Sequence, residues 1–324
     1  EWVTCSMAQD FPGTNNLNLL VPDGSFGNRS IQEPAASRYI YTYKQPYFDK
    51  IFIKEDYDLL PAQEFEGKDI EPKHYVPIIP MILVNGSEGI GNGFAQKILP
   101  RNPIELIDEL IASLGHQTRM VSKDVLKPWY RGFKGKIEWN EESKNWWIYG
   151  AWEKSGKASI KITELPIGYD LQKYISVLDS LEEKKIIQGY EDKSDGKNKF
   201  EFEVRVSMEL LKQDPQIIFE RLKLVKRVSE NFTCIDENNK IIEFKDVNDL
   251  LSEYYRKRLI FYDLRKKMII EKFEKELKIL TNRGKFISGI ISGSIKVMNV
   301  KRAELEAELD SKGFERVDDS FNYL

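Results

Sequence analysis

Several sequence patterns that mark a catalytic site are absent from this 324-residue chain. The glycine-rich stretch 86–93 lacks the Lys-Ser/Thr pair of a nucleotide-cradling loop, and no Ser/His/Asp set is recognisable. Two cysteines, Cys5 and Cys234, and two histidines, His74 and His116, have no partners at metal-ligand spacing. We expect both cysteines to be small buried apolar residues. These motifs alone leave the function open.

Two basic stretches stand out in a chain of net charge −3 and pI near 5.8. Residues 28–54 carry five basic side chains against two acidic ones, and residues 119–136 carry six against one. The acidic chain as a whole argues against nucleic-acid binding, yet clustered Lys and Arg could form a face that contacts phosphates. The alternative is a solvated surface, and local charge favours neither interpretation.

The composition, 41% hydrophobic and 31% charged, is typical of a globular chain, and the length fits two or three domains. No run of 18 apolar residues and no signal peptide is visible, so we predict no membrane association. The chain begins with Glu1 rather than Met, and we expect it to be a fragment of a longer polypeptide.

Apolar spacing and turn residues predict the elements of the first 84 residues. Residues 1–11 resemble the end of a helix, residues 14–34 loops and short strands, and residues 46–56 a short helix. Residues 61–77 are predicted to be irregular, and the apolar run 78–84 precedes an Asn-Gly turn.

The middle of the chain has the pattern of an α+β unit. A helix is predicted over 103–114, because Pro103 suits a first turn and apolar residues follow at helical spacing. Alternating strands fill 130–206, interrupted by a helix near 170–183, with a hairpin turn at 194–196.

The last third of the chain is predicted to be helical. Asp246 is a suitable N-cap for a long amphipathic helix that extends to about residue 282. Shorter helical pieces over 286–291 and 301–309 follow Gly284. A helix of that length suggests a coiled-coil arm, with an ordinary helical bundle as the alternative.

Four motifs then point to a family. They are Asn-Asn-Leu-Asn-Leu-Leu (15–20), Asp-Gly-Ser-Phe-Gly-Asn-Arg (23–29), Ala-Ala-Ser-Arg-Tyr-Ile-Tyr-Thr (35–42) and the stretch from Tyr-Val-Pro-Ile-Ile-Pro to Glu-Gly-Ile-Gly-Asn-Gly (75–93). In order and spacing they closely resemble the active-site region of type IIA DNA topoisomerases. The resemblance is to eukaryotic, large-virus and tailed-phage members more than to bacterial gyrase.

Weaker motifs continue the resemblance downstream. Pro-Trp-Tyr-Arg-Gly-Phe-Lys-Gly (128–135) and Ile-Thr-Glu-Leu-Pro (162–166) resemble the tower-type domain that supports DNA. Val-Ser-Glu-Asn-Phe-Thr (228–233) resembles the return toward the coiled coil.

The resemblance implies an α+β multidomain fold. Residues 1–77 would be the N-terminally incomplete remnant of a winged-helix active-site domain, and residues 78–228 an α/β tower domain. Residues 229–324 would form a long antiparallel coiled coil with a small helical exit-gate domain that dimerises.

The resemblance also assigns three residue roles. Tyr39 would be the nucleophile that takes a DNA 5′-phosphate. A phenol with a pKa near 10 is a poor nucleophile at rest but a tolerable leaving group, which suits a reversible phosphoryl transfer. Arg38 would stabilise charge on the phosphate oxygens of the transition state. Ile90 would wedge between base pairs and bend the duplex, the alternative being a core isoleucine in a buried turn. We expect Tyr41 and Tyr43 to be packing residues.

Five basic residues are candidate DNA-phosphate contacts, with plain surface as the alternative for each. They are Arg29, Lys44, Lys134, Lys226 and Arg227.

The resemblance further implies cofactors and partners outside this chain. Mg²⁺ would be bound by an acidic toprim domain and ATP by an ATPase domain, in the same polypeptide or in a separate one. The implied activity is that of an ATP-dependent type II topoisomerase. The implied assembly is a homodimer that acts on double-stranded DNA, in the nucleus or, for a viral or phage protein, in the host cytoplasm. The alternatives are a non-cleaving DNA-bending module and a structural coiled-coil protein.

Overall fold

The computed structural model describes residues 1–115, 126–317, 319–322 and 324. It divides into two compact units, Glu1–Arg256 and Lys257–Leu324. The predicted mixed α+β fold with a long C-terminal helix is confirmed.

The N-terminal region contains five short elements and one small apolar core. The elements are α1 (Trp2–Ala8), β1 (Leu20–Asp23), β2 (Tyr41–Lys44), α2 (Phe48–Ile51) and α3 (Lys54–Tyr57). Strands β1 and β2 pair antiparallel. Cys5 and Ala8 of α1 pack with Phe26 and Ile40, which ties the helix to the loop and strand that follow. The predicted helix over 46–56 is present as two single turns.

The next region contains two hairpins and a helix. Its elements are β3 (Ala62–Phe65), β4 (Lys68–Pro72), α4 (Met81–Val84), β5 (Ser87–Gly91), β6 (Phe94–Ile98) and α5 (Pro103–Gly115). The prediction of irregular chain over 61–77 is wrong, because β3 and β4 form a hairpin. Glu66 and Gly67 both have positive φ, 51° and 74°, and such turns match the twist of paired strands.

The α+β unit predicted over 130–206 is present and extends to residue 228. Its elements are β7 (Lys136–Asn140), β8 (Asn145–Tyr149), β9 (Ala151–Lys154), β10 (Ser159–Glu164), α6 (Leu171–Glu183), β11 (Gly189–Asp192), β12 (Phe202–Arg205), α7 (Pro215–Arg221) and β13 (Val225–Val228). The strands form two antiparallel sheets in the orders β11-β12-β10-β9 and β13-β8-β7. Ile160, Ile162 and Phe202 pack with Tyr174 and Leu178 of α6 in the largest core. The predicted helix near 170–183 and hairpin at 194–196 are confirmed.

A short hairpin leads into the long helix. The last elements are β14 (Thr233–Ile235), β15 (Ile241–Glu243), α8 (Val247–Ile291) and α9 (Arg302–Ser311). Asp246 caps α8 as predicted, since its carboxylate accepts from the backbone N–H of Asn248 (2.9 Å) and Asp249 (3.0 Å). The predicted helix end near residue 282 is wrong, because α8 continues through Gly284. A glycine inside a helix costs only about 1 kcal/mol, which is too little to end it.

The second unit has its own small core. Ile295, Leu309, Phe314 and Phe321 are buried together, with Phe286 of α8 packed against them. Among the described residues, no helix combines the length and apolar character needed to cross a membrane.

Candidate active site

Tyr39 is the last residue of a 3₁₀ turn formed by Ser37–Tyr39, and one residue, Ile40, separates it from β2. Its backbone N–H donates to Ala36 O at 2.9 Å, and the side chain is 65% exposed. The next residue, Ile40, is buried in the core with Cys5 and Phe26. The chain therefore anchors the residue after Tyr39 and leaves the phenol accessible.

Arg38 lies beside the tyrosine on the same turn. Its guanidinium carbon is 4.7 Å from the centre of the Tyr39 ring, within the range of a cation–π contact. The Arg38 side chain is also exposed. A positive charge and a phenol therefore share one accessible surface.

Two features of the preceding loop hold this turn. Gly24 has φ +108°, and a Cβ there would lie 3.1 Å from Ile40 Cγ2 and 3.2 Å from Tyr39 O. Gln9 Nε2 donates to Phe26 O (3.0 Å) and Gln32 O (3.1 Å). The close approach at Gly24 requires glycine, and Gln9 fixes the loop to the end of α1.

Tyr41 and Tyr43 follow on β2, and we predicted that both would pack. That prediction is wrong, because their side chains are 71% and 60% exposed. Both belong to a two-stranded ribbon, and the packing that secures the ribbon comes from Ile40 instead.

Ile90 lies near the tip of the hairpin formed by β5 and β6, opposite Ala95. Its side chain is 94% exposed, so the alternative of a core isoleucine is wrong. A Cβ on Gly89 would have nothing within 4 Å among the described residues, and one on Gly91 would have only Phe94 O at 3.8 Å. The hairpin presents an unsupported apolar side chain on a narrow projection.

Arg29 is not an accessible phosphate contact, and this corrects our prediction. Its side chain is 1% exposed; Nη1 donates to Tyr169 O (2.5 Å), and Nη2 donates to Leu165 O (2.8 Å) and pairs with Glu164 (3.4 Å). Burial lowers the pKa of the guanidinium, and the charge of Glu164 offsets part of that effect. The centre of the Phe200 ring lies 5.1 Å from it. Arg29 fastens the loop before Tyr39 to the region that follows β10.

Lys44 and Lys134 are accessible, as the interpretation of them as phosphate contacts requires. Lys44 pairs with Asp49 at 2.8 Å, but both side chains are mostly exposed. Lys134 is exposed, and its backbone N–H donates to Glu164 Oε2 at 3.2 Å. A phosphate could replace water around either ammonium.

Lys226 and Arg227 are neighbours on β13 and so point to opposite faces of the strand. Lys226 Nζ donates to Ile167 O at 3.3 Å. Partial burial lowers the pKa of this ammonium, and the nearby charge of Lys97 lowers it further. Arg227 stacks on Trp147 at 4.4 Å and pairs with Glu220 at 2.6 Å. The structure does not bring the two cations together on one surface.

Arg119 and Lys123 of the second basic stretch lie outside the described residues, as does His116. In the parts of the chain that the structure describes, no three His, Cys, Asp or Glu side chains are grouped to hold a metal ion. Cys5 is buried as predicted, whereas Cys234 is only half-buried.

Asn16 is a residue for which sequence reasoning found no role. Its Nδ2 donates to Val84 O (3.0 Å), Arg101 O (3.0 Å) and Trp129 O (2.9 Å), and its Oδ1 accepts from the backbone N–H of Arg131 (2.8 Å). One buried amide thus joins three distant segments to the chain that leads to Tyr39. Its position in the Asn-rich motif 15–20 was the only signal.

Comparison with known proteins agrees with this architecture. Residues 4–320 match the family described as the A-type subunit of DNA gyrase/topoisomerase IV. The chain is 36% identical over 311 residues to the mitochondrial DNA topoisomerase 2 of Dictyostelium discoideum, covering 94% of this chain and 24% of that protein. It is 35% identical over 319 residues to DNA topoisomerase 2 of Saccharomyces cerevisiae, covering 96% of this chain and 22% of that protein.

A solved structure of a topoisomerase II domain also matches this chain in three dimensions. The crystal structure of the Plasmodium falciparum topoisomerase II DNA-binding, cleavage and re-ligation domain superposes with a TM-score of 0.85 at 34% identity. The match covers 96% of this chain and 43% of that one. This chain spans less than a quarter of the length of the two relatives named above. It belongs to the DNA gyrase/topoisomerase IV family, as the DNA-binding and cleavage (breakage-reunion) domain of a type II topoisomerase.

Proposed function

We propose that this chain carries the tyrosine half of the site at which a type II topoisomerase cleaves and reseals DNA. The observation that carries the proposal is the pairing of exposed Tyr39 with the guanidinium of Arg38, 4.7 Å from its ring. Both residues lie within the motif 35–42 of a chain that belongs to the family.

In the proposed reaction, Tyr39 Oη forms a bond to a DNA phosphorus as the bond from phosphorus to the 3′-oxygen breaks. The phenol loses its proton, the 3′-oxygen gains one, and the 5′-phosphate stays on the tyrosine. Arg38 donates hydrogen bonds to the non-bridging oxygens, where negative charge grows. The phosphotyrosyl bond keeps the energy of the DNA linkage, so resealing is the same step in reverse.

Ile90 supplies the second part of the proposal. An apolar side chain that protrudes into a base step unstacks it and kinks the duplex, at a cost of a few kcal/mol per step. The 94% exposure of Ile90 supports this role, because no described part of the chain competes for the side chain. Lys44, Lys134 and Lys226 are the proposed phosphate contacts. Lys44 and Arg227 are weaker candidates than the other two, because Asp49 and Glu220 already compensate their charges.

The metal and the nucleotide of the proposed enzyme belong to other domains. Following the resemblance to type II topoisomerases, we place Mg²⁺ in a toprim domain and ATP in an ATPase domain, both outside this chain. Cleavage by the chain alone is then expected to be weak or absent. In the proposed assembly two copies dimerise through the C-terminal gate and offer one Tyr39 to each DNA strand.

Within this scheme residues 1–77, 78–228 and 229–324 act as winged-helix, tower and coiled-coil gate domains. Exposed apolar side chains along α8, such as Phe273, Leu277 and Leu280, support a helical partner for the arm. A second duplex would pass through the break and leave by the gate.

The test is Tyr39→Phe in the complete enzyme, with covalent protein–DNA adducts trapped by detergent and counted on a denaturing gel. We expect no adduct, and DNA affinity within about twofold of the parent, because only the hydroxyl is lost. Tyr41→Phe is the matched control, since Tyr41 is similarly exposed two residues away. Adducts that persist without the Tyr39 hydroxyl would exclude the assignment. An enzyme that bends DNA but forms no adduct even with Tyr39 would be the non-cleaving alternative.

A further inference from the structure

The exposed tip of the β5–β6 hairpin has little packing of its own, so its direction must be set at its base. Ile98, the last residue of β6, is buried, and the chain then turns at Leu99. Gly86, before β5, has φ +74°, and a Cβ there would lie 2.6 Å from Ile98 O. The two ends of the hairpin are therefore in close contact at this point.

Glu230 is the centre of the contacts at this base. Its carboxylate accepts from Leu99 N–H (2.8 Å), Arg101 Nη1 (2.5 Å), Arg101 Nη2 (2.7 Å) and Trp146 Nε1 (2.9 Å). The side chains of Glu230 and Arg101 are 8% and 2% exposed. A buried carboxylate that accepts four hydrogen bonds, two of them from one arginine, has a fixed orientation.

Arg101 also contacts Leu99, the residue whose N–H donates to Glu230. Its Nη1 also donates to Leu99 O (2.5 Å), and its Nε donates to Leu126 O (2.8 Å). The Glu230–Arg101 pair thus holds both the N–H and the C=O of Leu99. Rotation of the peptide at the end of β6 would break at least one charge-assisted hydrogen bond.

The residues after Glu230 hold β6 itself. Lys97 and Asn231 exchange two backbone hydrogen bonds of 2.9 Å each, and Gln96 Nε2 donates to Thr233 O at 2.7 Å. The segment 230–233 therefore contacts β6 at successive positions and fixes its register. Glu230, the first residue of that segment, adds a buried charge to these contacts.

The residue before β5, Asn85, is hydrogen-bonded to Leu17, in the segment that leads to Tyr39. Leu17 N–H donates to Asn85 Oδ1 (2.9 Å), and Asn85 Nδ2 donates to Leu17 O (3.0 Å). One strand of the hairpin is thus anchored to the segment that leads to Tyr39, and the other to Glu230.

We propose that Glu230 is a positioning residue for DNA bending: through Arg101 and Leu99 it fixes the direction of the hairpin that presents Ile90. The inference rests on the wedge role proposed for Ile90. Glu230 does not touch DNA in this scheme; it sets the angle at which Ile90 meets the base step. Directional hydrogen bonds at the base then replace the packing that the tip lacks.

The first test is Glu230→Gln in the complete enzyme, with bending followed by energy transfer between dyes on the duplex ends. Glutamine keeps the size but turns an N–H₂ group toward donors. We expect the dissociation constant for a straight duplex to rise on the order of tenfold, with a smaller bent fraction. On a duplex already kinked by a mismatch at the wedge step, we expect affinity within about twofold of the parent. An equal loss on both duplexes would mean a merely structural role and would overturn the proposal.

Two further variants make the result independent of folding. Glu191→Gln is the matched control, because it removes a carboxylate from an exposed pair with Lys193, outside every proposed DNA contact, and should leave bending unchanged. The double variant Arg101→Met with Glu230→Met leaves no unpaired buried charge at this pair and should fold. If the folded double variant bends straight DNA as the parent does, the proposal is wrong.

The failure of this inference can be distinguished from failure of the proposed function. If Ile90→Ala reduces bending and Glu230→Gln does not, only the role of Glu230 is lost. If Ile90→Ala bends DNA normally, the wedge itself is wrong. Adduct formation by Tyr39 is measured separately and depends on neither outcome.

Discussion

The turn that carries Tyr39 and the hairpin that carries Ile90 both present one exposed side chain, but they are secured by different forces. The residue after Tyr39 is anchored in an apolar core, whereas the residue after β6 is held by the buried Glu230–Arg101 pair. Apolar contacts have no preferred direction, and charge-assisted hydrogen bonds have one. In the proposed scheme the nucleophile must adjust to a phosphate and the wedge must keep its angle, and each anchor suits the role proposed for its residue.

The largest effect is expected at the tyrosine turn. Arg38→Ala should slow cleavage on the order of 10²–10³-fold, because the transition state loses its charge stabilisation. DNA affinity should fall far less, since one of many phosphate contacts is removed. The measurement is single-turnover cleavage beside equilibrium binding on the same duplex at one salt concentration. Lys50→Ala, an exposed cation in the same basic stretch, is the control. Equal losses in rate and affinity would make Arg38 an ordinary phosphate contact.

An intermediate effect is expected where the apolar anchor meets the turn. Gly24→Ala places a Cβ against Ile40 and the Tyr39 carbonyl at φ +108°, and we expect a loss of about 1–3 kcal/mol in unfolding free energy. Adduct formation should fall with it. Denaturant unfolding and adduct yield are measured together. Gly91→Ala is the comparison, because its nearest neighbour, Phe94 O, is 3.8 Å away. If both glycines tolerate alanine equally, the turn is not held as described.

The smallest effect on folding is expected at the wedge. Ile90→Ala should change the unfolding free energy by no more than about 0.5 kcal/mol, yet reduce the bent fraction of DNA. Ile98→Val, at the buried end of the same hairpin, should cost about 0.5–1.5 kcal/mol and leave bending nearly intact. Chemical denaturation measures the unfolding free energy of both variants, and energy transfer between duplex ends measures how far each bends DNA. A destabilised Ile90→Ala variant would indicate that the side chain packs within the protein.

Some helices and their caps could be predicted from the sequence, because the pattern of a few neighbouring residues determines them. The N-cap at Asp246 and the helix of residues 171–183 follow from composition and spacing over a few residues. Tyr39 is one of 15 tyrosines, and it was singled out by its motif rather than by any physical property that a sequence displays.

Other features depend on contacts between distant residues, which no local pattern contains. Arg29 has the same charge whether it faces phosphates or the carbonyls of Leu165 and Tyr169, more than 130 positions away. Glu230 gave no signal because its partner Arg101 lies 129 positions earlier. The β3–β4 hairpin was missed for a different reason: the Glu66-Gly67 turn was visible, but the flanking strands lack apolar alternation.

The exposure of Ile90 also has a thermodynamic consequence. In the proposed scheme the exposed side chain of Ile90 contributes almost nothing to folding and buries its apolar surface only when it enters a base step. Burial of apolar surface lowers the heat capacity of the system. If Ile90 inserts as proposed, the enthalpy of DNA binding becomes more favourable on warming. The difference in this temperature dependence between the parent and Ile90→Ala then measures how much of the side chain the base step buries.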